Sequence, residues 1–226
     1  MSAISSSVDA AAAPLKRGPD SVPATPFEGK TQYSLTVPLK PPGRFDSLAR
    51  VAPVIEFVLG DIVEETTDAI VNPAGPGLVD RAIHASAGPG LLEAFHRATR
   101  RLAGGRLPPG KAILTVGHDL APTQVIHVGP PFYADDPHGA RVDLVSCHVE
   151  ALNLARARGF NSVSFPSIAT GNHRYPLEET AKMAVGTVIA ELRAHAAPTL
   201  VRFVLFHPET LEAYLNAGRA RIKKSS

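Results

Sequence analysis

The chain has 226 residues, 44% of them hydrophobic, which is enough apolar material for the core of one domain with an appendage. Its 23 Lys and Arg residues nearly balance 21 Asp and Glu residues, which argues against a protein that coats duplex DNA. The single cysteine, Cys147, excludes an internal disulfide and a multi-cysteine zinc site, so we expect a reducing, cytoplasmic location. No apolar run approaches the length of a membrane span, and we expect no membrane partner.

The N-terminal part of the chain differs in composition from the rest. Residues 1–30 are rich in Ala, Ser and Pro without periodicity, which predicts a disordered arm. Residues 31–52 contain YSLTVPL, which either adds an edge strand to a sheet or lies along the surface. Periodic patterns occupy residues 53–221, which we predict to be one folded domain, and residues 222–226 form a basic tail.

Apolar runs alternate with helical patterns from residue 53 onward. The runs that predict strands are VIEFVL, AIV, AILTV, QVIHV, SVSF and LVRFVLF, and the helical stretches lie near 79–103, 141–158, 177–196 and 208–221. In the second of these helices, the expected inward stripe is Val142, Val145, Val149 and Leu152. The alternation predicts a largely parallel sheet covered by helices on both faces. Ligands of such sheets bind in loops beyond the carboxyl ends of the strands.

The first two such loops carry carboxylates. Asp61, in LGDI, either accepts hydrogen bonds from an exocyclic amine or caps a helix, and the residues alone favour the cap. The next loop, in IVNPAGPGLVDRAIH, leaves a strand through Asn72 and contains Gly75 and Gly77, which let the backbone approach a ligand closely. Asp80 falls in the first helical turn, where it is either a general base or a partner of the helix dipole.

The turn ATGNHRYP lies between the strand SVSF and a helix whose apolar face includes Leu177 and Ala181. Pro176 fits the first helical position, and Gly171 suits a left-handed backbone or a close approach to a ligand. Unpaired backbone N–H groups at a helix start form a ready site for phosphate or another anion. An ordinary strand-to-helix connection is the alternative that this stretch alone favours.

Other catalytic signatures do not occur. The sequence has no Walker-type glycine loop with a lysine, no G-x-G-x-x-G, no G-x-S-x-G and no H-E-x-x-H. Cys147 and His148 are neighbours in a predicted helix, where their side chains point apart. We therefore expect no metal site, no thiol nucleophile and no cofactor.

A set of segments in a fixed order resembles one family. GDI, DAIVN, VDRAIHASAGPGLL, GKAILTVGHDL, VIHVGPP, SVSFPSIATG, YPLEETAKMAV and VRFVLF follow one another over about residues 53–220. This series resembles the macro domain, the ADP-ribose-binding module. The resemblance implies a three-layer α/β/α sandwich with a mostly parallel mixed sheet. It also implies that ADP-ribose binds in a cleft across the strand ends.

The resemblance assigns parts of the ligand to particular residues. It implies that Asp61 holds the adenine amino group with Ile62 as its backbone neighbour, and that Phe206 lies against adenine. Two loops, residues 77–79 and 169–175, would enclose the diphosphate. The other ligand-binding candidates are Asn72, Gly75, Gly77, Val79, Ala169, Thr170, Gly171, Asn172, Arg174 and Tyr175.

The chain departs from the family pattern in both loops. Hydrolytic members carry N-A-A-N, several glycines and then V-D, whereas this chain has NPAGPGLVD. Asn72 and Asp80 match, but Gly75 replaces the second asparagine and the glycine stretch is shorter. His173 and Arg174 replace an aromatic residue and a glycine, and both can bind phosphate or ribose oxygens. Asp80 and His173 are the candidate catalytic residues.

The resemblance predicts a protein that binds ADP-ribose or an ADP-ribosyl derivative, with hydrolysis of mono-ADP-ribosyl esters as an additional activity. The substrate would be an ADP-ribosylated protein, nucleic acid or small metabolite. A non-catalytic ADP-ribose reader and a degenerate macro-domain scaffold are the alternatives. A reader requires the adenine and diphosphate contacts, an enzyme also requires a water held near the distal ribose, and a scaffold requires neither.

Overall fold

The computed structural model describes residues 4–5, 32–37, 51–133 and 136–223. The strands are β1 (Ile4–Ser5), β2 (Gln32–Thr36), β3 (Val54–Leu59), β4 (Ala69–Pro73), β5 (Ala112–Val116), β6 (Gln124–Val128), β7 (Ser162–Phe165) and β8 (Leu200–Leu205). The α-helices are α1 (Leu78–Ala87), α2 (Pro89–Thr99), α3 (Pro137–Ala157), α4 (Leu177–His195) and α5 (Pro208–Lys223). Every apolar run that predicts a strand coincides with one of these strands, except that the last residue of LVRFVLF, Phe206, lies just beyond β8.

The described strands form one mixed sheet of eight strands in the order β1-β2-β3-β8-β7-β4-β6-β5. The five strands from β3 to β6 in this order are mutually parallel. The strands beyond them pair antiparallel, β2 with β3 and β1 at one edge, and β5 with β6 at the other. The predicted mostly parallel mixed sheet is confirmed.

Successive residues of the central strands enter two different apolar clusters. Ile70 in β4 packs with Ile83 of α1 and Leu91 of α2 on one face of the sheet. Its neighbour Val71 joins a larger cluster with Leu144 of α3, together with side chains from α4 and α5, on the other face. Because both faces are buried, these strands are continuously apolar instead of alternating. The helices on the two faces complete the predicted three-layer α/β/α sandwich.

The helical stretch predicted near 79–103 is two helices. Gly88 separates α1 from α2 with φ 73° and ψ −179°, a conformation that interrupts the helix. Pro89 follows it at the first position of α2, and a proline disfavours helical geometry at the residue before it. The bend lets α1 and α2 lie on the same face of the sheet.

The stripe predicted for α3 is wrong at most positions. Val142 is 58% exposed, and Val145 and Val149 are only partly buried. The helix begins at Pro137, earlier than predicted, and turns a different face to the sheet. Its buried residues are Ala140, Leu144, Cys147, His148, Ala151, Leu152 and Ala155. Small alanines let the helix approach the sheet closely, and the apolar periodicity of the valines did not reveal this.

The N-terminal segments contribute edge strands. Within residues 31–52, Gln32–Thr36 forms β2, which pairs antiparallel with β3. Ile4 and Ser5 pair with Leu35 and Ser34, which differs from the disorder expected over residues 1–30. The rest of that arm, residues 38–50 and the last three residues of the basic tail lie outside the described residues, so the domain boundaries stay a prediction. Among the described helices, none combines the length and apolar character that a membrane crossing requires.

Candidate functional site

The predicted site segments follow neighbouring parallel strands. Asp61 comes shortly after β3, Phe206 after β8, residues 169–175 after β7, and residues 74–79 after β4. Because these four strands are adjacent in the order β3-β8-β7-β4, their carboxyl ends lie along one edge of the sheet. The fold therefore brings the predicted adenine-side and diphosphate-side segments to one edge, which we call the cleft edge.

At the β3 end of the cleft edge, Asp61 caps a short 3-10 turn over Ile62–Glu64. Its Oδ1 accepts a hydrogen bond from the Val63 N–H at 3.2 Å, which is the capping role favoured by the residues alone. The other carboxylate oxygen has no partner among the described residues, so capping does not exhaust the side chain's acceptors. Ile62 is 5% exposed and packs in the apolar cluster that contains Ile70 and Ile83. The Phe206 ring, in contrast, is half exposed.

The first loop ends at the start of α1. Gly77 is the N-cap residue of α1, and no side chain caps the helix. The first N–H groups of a helix have no intrahelical partner, and here they remain uncapped. A Cβ built on Gly77 would meet nothing within 4 Å, so the backbone is open to an approaching group. Uncapped N–H groups beside open space suit an anion.

The second loop follows β7 and is closed by backbone hydrogen bonds. Arg174 N–H donates to the Gly171 carbonyl at 2.9 Å, and Tyr175 N–H donates to the Ala169 carbonyl at 3.0 Å. The backbone N–H groups of residues 170–173 donate to no acceptor in the described part of the chain. These consecutive N–H groups are the type of backbone arrangement that surrounds phosphate oxygens.

Of the two uses considered for Gly171, a left-handed backbone or a close approach to a ligand, the left-handed backbone occurs at other residues of the loop. Positive φ angles belong to Ala169 (67°) and Arg174 (56°). Gly171 instead faces open space, since a Cβ built there would meet nothing within 4 Å. Pro176 also differs from its prediction, because it is the N-cap residue of α4 (φ −58°, ψ 128°) and the helix begins at Leu177.

Two contacts join the second loop to its surroundings. Asn172 Nδ2 donates to the Pro76 carbonyl at 3.1 Å, which bridges the second loop to the first. The His173 ring lies 5.0 Å from the Phe132 ring, and its Cε1 would be 3.7 Å from a Cβ built on Gly75. Partial burial lowers the pKa of His173 below its usual value, which favours the neutral imidazole. His173 therefore borders the position where Gly75 replaces the family's second asparagine.

Asp80 has polar partners on α1 and β4. Its Oδ1 accepts a hydrogen bond from Asn72 Nδ2 at 2.7 Å, and His84 Nε2 lies 3.5 Å from the same oxygen. The Asn72 side chain, for which ligand binding stays a prediction, is fully buried and contacts Asp80 and His127. No described contact joins the two predicted catalytic residues, Asp80 and His173, to each other.

Behind Asn72 lies a second pair of polar side chains that sequence reasoning missed. His127 Nδ1 is 3.1 Å from Asn72 Nδ2, and His127 Nε2 is 2.8 Å from Thr115 Oγ1. Burial, together with nearby His84, lowers the pKa of His127 to about 3, so the ring is neutral at physiological pH. The proximity of His84 to Asp80 could be predicted from the sequence, because the two residues are four apart on one helix. The proximity of His127 and Thr115 to Asn72 could be recognised only from the order of the strands.

Cys147 and His148 lie in the core, away from the cleft edge. The Cys147 Sγ–H donates to the Gly129 carbonyl at 3.1 Å, and burial raises the pKa of its thiol to about 12. His148 Nδ1 bonds the Leu144 carbonyl at 2.8 Å, and burial lowers its pKa to about 4. These values describe an inert thiol and a neutral core imidazole. The described residues contain no group of three His, Cys, Asp or Glu side chains arranged to hold a metal ion.

Comparison with known proteins identifies the family. The family model for the macro domain matches residues 71–184. An O-acetyl-ADP-ribose deacetylase of Klebsiella pneumoniae (strain 342) is 41% identical over 165 residues, which cover 70% of this chain and 93% of that relative. The chain belongs to the macro domain family. The resemblance to the macro domain, which rested on a series of segments in a fixed order along the sequence, is therefore confirmed. The first loop of this macro domain nevertheless departs from the N-A-A-N pattern of hydrolytic members.

Two solved structures similar to this macro domain are of complexes with ADP and with ADP-ribose. The Oceanobacillus iheyensis macrodomain with ADP aligns with a TM-score of 0.75 at 34% identity, and covers 85% of this chain and 98% of its own. The Trypanosoma brucei macrodomain in complex with ADP-ribose aligns with a TM-score of 0.61 at 29% identity, over 72% of this chain and 68% of its own. Both alignments support the α/β/α macro fold.

Proposed function

We propose that this macro domain binds ADP-ribose at the cleft edge and hydrolyses esters of ADP-ribose. The observation that carries the proposal is the row of unpaired N–H groups in residues 170–173 beside the uncapped start of α1, which also carries Asp80. The name of the Klebsiella relative, an O-acetyl-ADP-ribose deacetylase, supports the same substrate class. Any ester of ADP-ribose presents the same diphosphate to these N–H groups.

In the proposed complex, the ligand lies along the strand ends from β3 to β4. Asp61 accepts hydrogen bonds from the adenine amino group with its free carboxylate oxygen, and the exposed Phe206 ring covers the adenine. The diphosphate lies between the start of α1 and the second loop, where N–H groups and the helix dipole favour negative charge. Arg174, which is exposed, adds positive charge beside the same loop.

Asp80 is the proposed general base. It removes a proton from a water molecule that attacks the ester, and it returns that proton to the ribose oxygen as the ester C–O bond breaks. Free ADP-ribose and the carboxylic acid are the two products. A neutral His173 donates one hydrogen bond and accepts another, so it holds distal ribose oxygens where Gly75 provides no side chain. The acyl group belongs to a modified protein, to nucleic acid or to a small metabolite. The buried thiol of Cys147 suits the cytoplasmic location expected from the sequence.

Two measurements on the full chain test the proposal. Calorimetric titration with ADP-ribose measures binding, and release of ADP-ribose from O-acetyl-ADP-ribose and from a carboxylate-linked mono-ADP-ribosylated protein measures hydrolysis. Saturable binding with release above the buffer control supports the enzyme. Binding of ADP-ribose without release from the esters above the buffer rate would indicate a non-catalytic reader. The glycine at position 75, which replaces the family's second asparagine, would explain the missing activity. An absence of binding would leave only the scaffold alternative.

The adenine role of Asp61 gives the first substitution test. We expect Asp61→Ala to weaken ADP-ribose binding by about 1.5–3 kcal/mol, the range for a hydrogen bond that involves a charged group. The same substitution also removes the cap on Val63, so Asp61→Asn is the control, because an asparagine oxygen still caps the turn. Asp61→Asn should melt like the wild type yet bind weakly, since its amide replaces one acceptor by a donor. Wild-type affinity in both variants would leave Asp61 as a cap only.

Gly171 tests the location of the diphosphate. Gly171 is exposed with room for a side chain, so Gly171→Val should change the free energy of unfolding by no more than about 0.5 kcal/mol. A branched side chain beside the free N–H groups should nevertheless weaken ADP-ribose binding more than about tenfold, or 1.4 kcal/mol. Gly171→Ala, which adds one methyl group, should have an intermediate affinity. If the valine variant binds like the wild type, the diphosphate lies elsewhere.

A further inference from the structure

Three neighbouring strands place polar side chains on the sheet face that α1 and α2 cover. Asn72 of β4 and His127 of β6 are register partners in adjacent parallel strands. Thr115 of β5 pairs with Val125, two residues before His127, so Thr115 and His127 share that face. This arrangement forms a chain of contacts from Thr115 through His127 and Asn72 to Asp80, with successive distances of 2.8, 3.1 and 2.7 Å.

Asp80, at the end of this series of contacts, determines which group donates and which accepts at each step. The Asp80 carboxylate only accepts, so the Asn72 amide must present Nδ2 to it. The same Nδ2 also faces His127 Nδ1, which must then be an acceptor without a proton. His127 therefore carries its proton on Nε2 and donates to Thr115 Oγ1. The Asn72 oxygen has no partner among the described residues, so within them only the Nδ2 contacts with Asp80 and His127 hold the amide in this orientation.

The His127 tautomer and the orientation of Asn72 are therefore linked, because the same Nδ2 group faces both His127 and Asp80. If the proton moved to Nδ1, the Asn72 amide would have to turn over and present Oδ1 to accept it. The same rotation would direct Oδ1, instead of Nδ2, at Asp80 and replace the 2.7 Å hydrogen bond by repulsion between two acceptors. The Thr115 hydroxyl accepts a hydrogen bond from the Nε2 proton, so the tautomer that matches this orientation of Asn72 has no buried, unpaired N–H group on that side of the ring.

We propose that Thr115, His127 and Asn72 are positioning residues that hold the Asp80 carboxylate towards the ligand, and that they do so only while His127 is protonated at Nε2. This inference rests on the proposed function for its catalytic consequence. Asn72 and His127 are fully buried and Thr115 is 7% exposed, so none of the three presents a surface to a ligand. Their effect must pass through Asp80.

Thr115→Val and Thr115→Ser form a matched pair for the test. Valine has nearly the shape of threonine but offers no acceptor to His127 Nε2, whereas serine retains the hydroxyl. We expect Thr115→Val to lower kcat for O-acetyl-ADP-ribose by up to about 100-fold, the effect of small misplacements of a catalytic group. Its ADP-ribose Kd should stay within about twofold of the wild type, because no proposed ligand contact changes. Thr115→Ser should resemble the wild type in both quantities.

Imidazole nitrogen NMR spectra of the same proteins provide a readout that does not depend on activity. In the wild type and Thr115→Ser, the His127 signals should show a single tautomer with the proton on Nε2. In Thr115→Val, the Nδ1-protonated form should appear. If the wild type fails to hydrolyse any ester, the proposed function fails, and the NMR comparison alone decides whether the tautomer control exists. An Nδ1-protonated wild type, or a Thr115→Val variant with unchanged tautomer or unchanged kcat in an active protein, would overturn the inference.

Discussion

Replacement of Asp80 by alanine is expected to slow the release of ADP-ribose from its esters by about 10²–10⁴-fold, the usual scale for a positioned acid–base group. Asp80 lies in the first turn of α1, where a negative charge interacts favourably with the helix dipole. Its Oδ1 is held by Asn72 at 2.7 Å, so the carboxylate does not rotate freely and can direct a water molecule. The proposed binding contacts lie on other residues, and ADP-ribose affinity should change little.

Single-turnover release from O-acetyl-ADP-ribose, measured beside calorimetric titration with ADP-ribose, separates the two quantities. Asp80→Asn tests the same point with almost no change of side-chain volume, and it should be as slow as the alanine variant. Glu212→Ala, which removes an exposed carboxylate from α5, is the surface control and should match the wild type. If Asp80→Ala turns over at the wild-type rate, the base is another group. If it loses ADP-ribose affinity in proportion to the rate, Asp80 is a binding residue.

The positions of the site segments were predictable because each follows a recognisable strand. Parallel strands put their carboxyl ends at one edge, so Asp61, Phe206 and the turn after β7 had to converge once the strands were identified. The polar chain behind Asp80 was not predictable in the same way. Asn72 and His127 are 55 residues apart, and they meet only because β4 and β6 are adjacent and in register. Strand order depends on the packing of the whole domain, which local patterns do not encode.

The backbone conformation of the second loop was also not predictable from the sequence. Glycine is the residue that tolerates positive φ best, and this preference pointed to Gly171. The structure places positive φ angles at Ala169 and Arg174, where the chain must turn so that the Tyr175 N–H reaches the Ala169 carbonyl. Tyr175 is 2% exposed, so burial of its ring imposes the conformation of the residues before it. Tertiary packing here overrides local preference.

A cluster of charged side chains lies on the face of the sheet that carries α1 and α2, and one of its carboxylates, Glu65, is buried. Arg202 of β8 donates from Nε to Glu56 at 2.8 Å and from Nη1 to Glu65 at 2.7 Å. Ser164 Oγ also donates to Glu65, whose side chain is 2% exposed. Burial lowers the pKa of Arg202, but its hydrogen bonds to Glu65 and Glu56, together with the charges of the two carboxylates, raise that pKa overall. The guanidinium thus neutralises a carboxylate that water does not reach.

We expect Arg202→Met to lower the free energy of unfolding by about 3–5 kcal/mol, because it leaves Glu65 as an unpaired buried charge. Arg202→Met combined with Glu65→Met should recover part of that loss, because it removes the buried charge of Glu65. Glu56, whose side chain is 14% exposed, still lacks its partner in the double variant. Urea denaturation of both variants measures the difference. Arg202 lies near the start of β8, away from Phe206, so ADP-ribose affinity should persist in any variant that remains folded.

A second ion pair provides the control for this prediction. Arg97 and Glu93 on α2 approach to 3.7 Å, but their side chains are 64% and 73% exposed. Arg97→Met removes the same type of charge from water-screened surroundings and should cost no more than about 1 kcal/mol. Equal effects of Arg97→Met and Arg202→Met would mean that burial of Glu65 does not determine the penalty. If Arg202→Met with Glu65→Met is as unstable as Arg202→Met alone, the lost free energy of unfolding comes instead from packing of the arginine stem against the sheet.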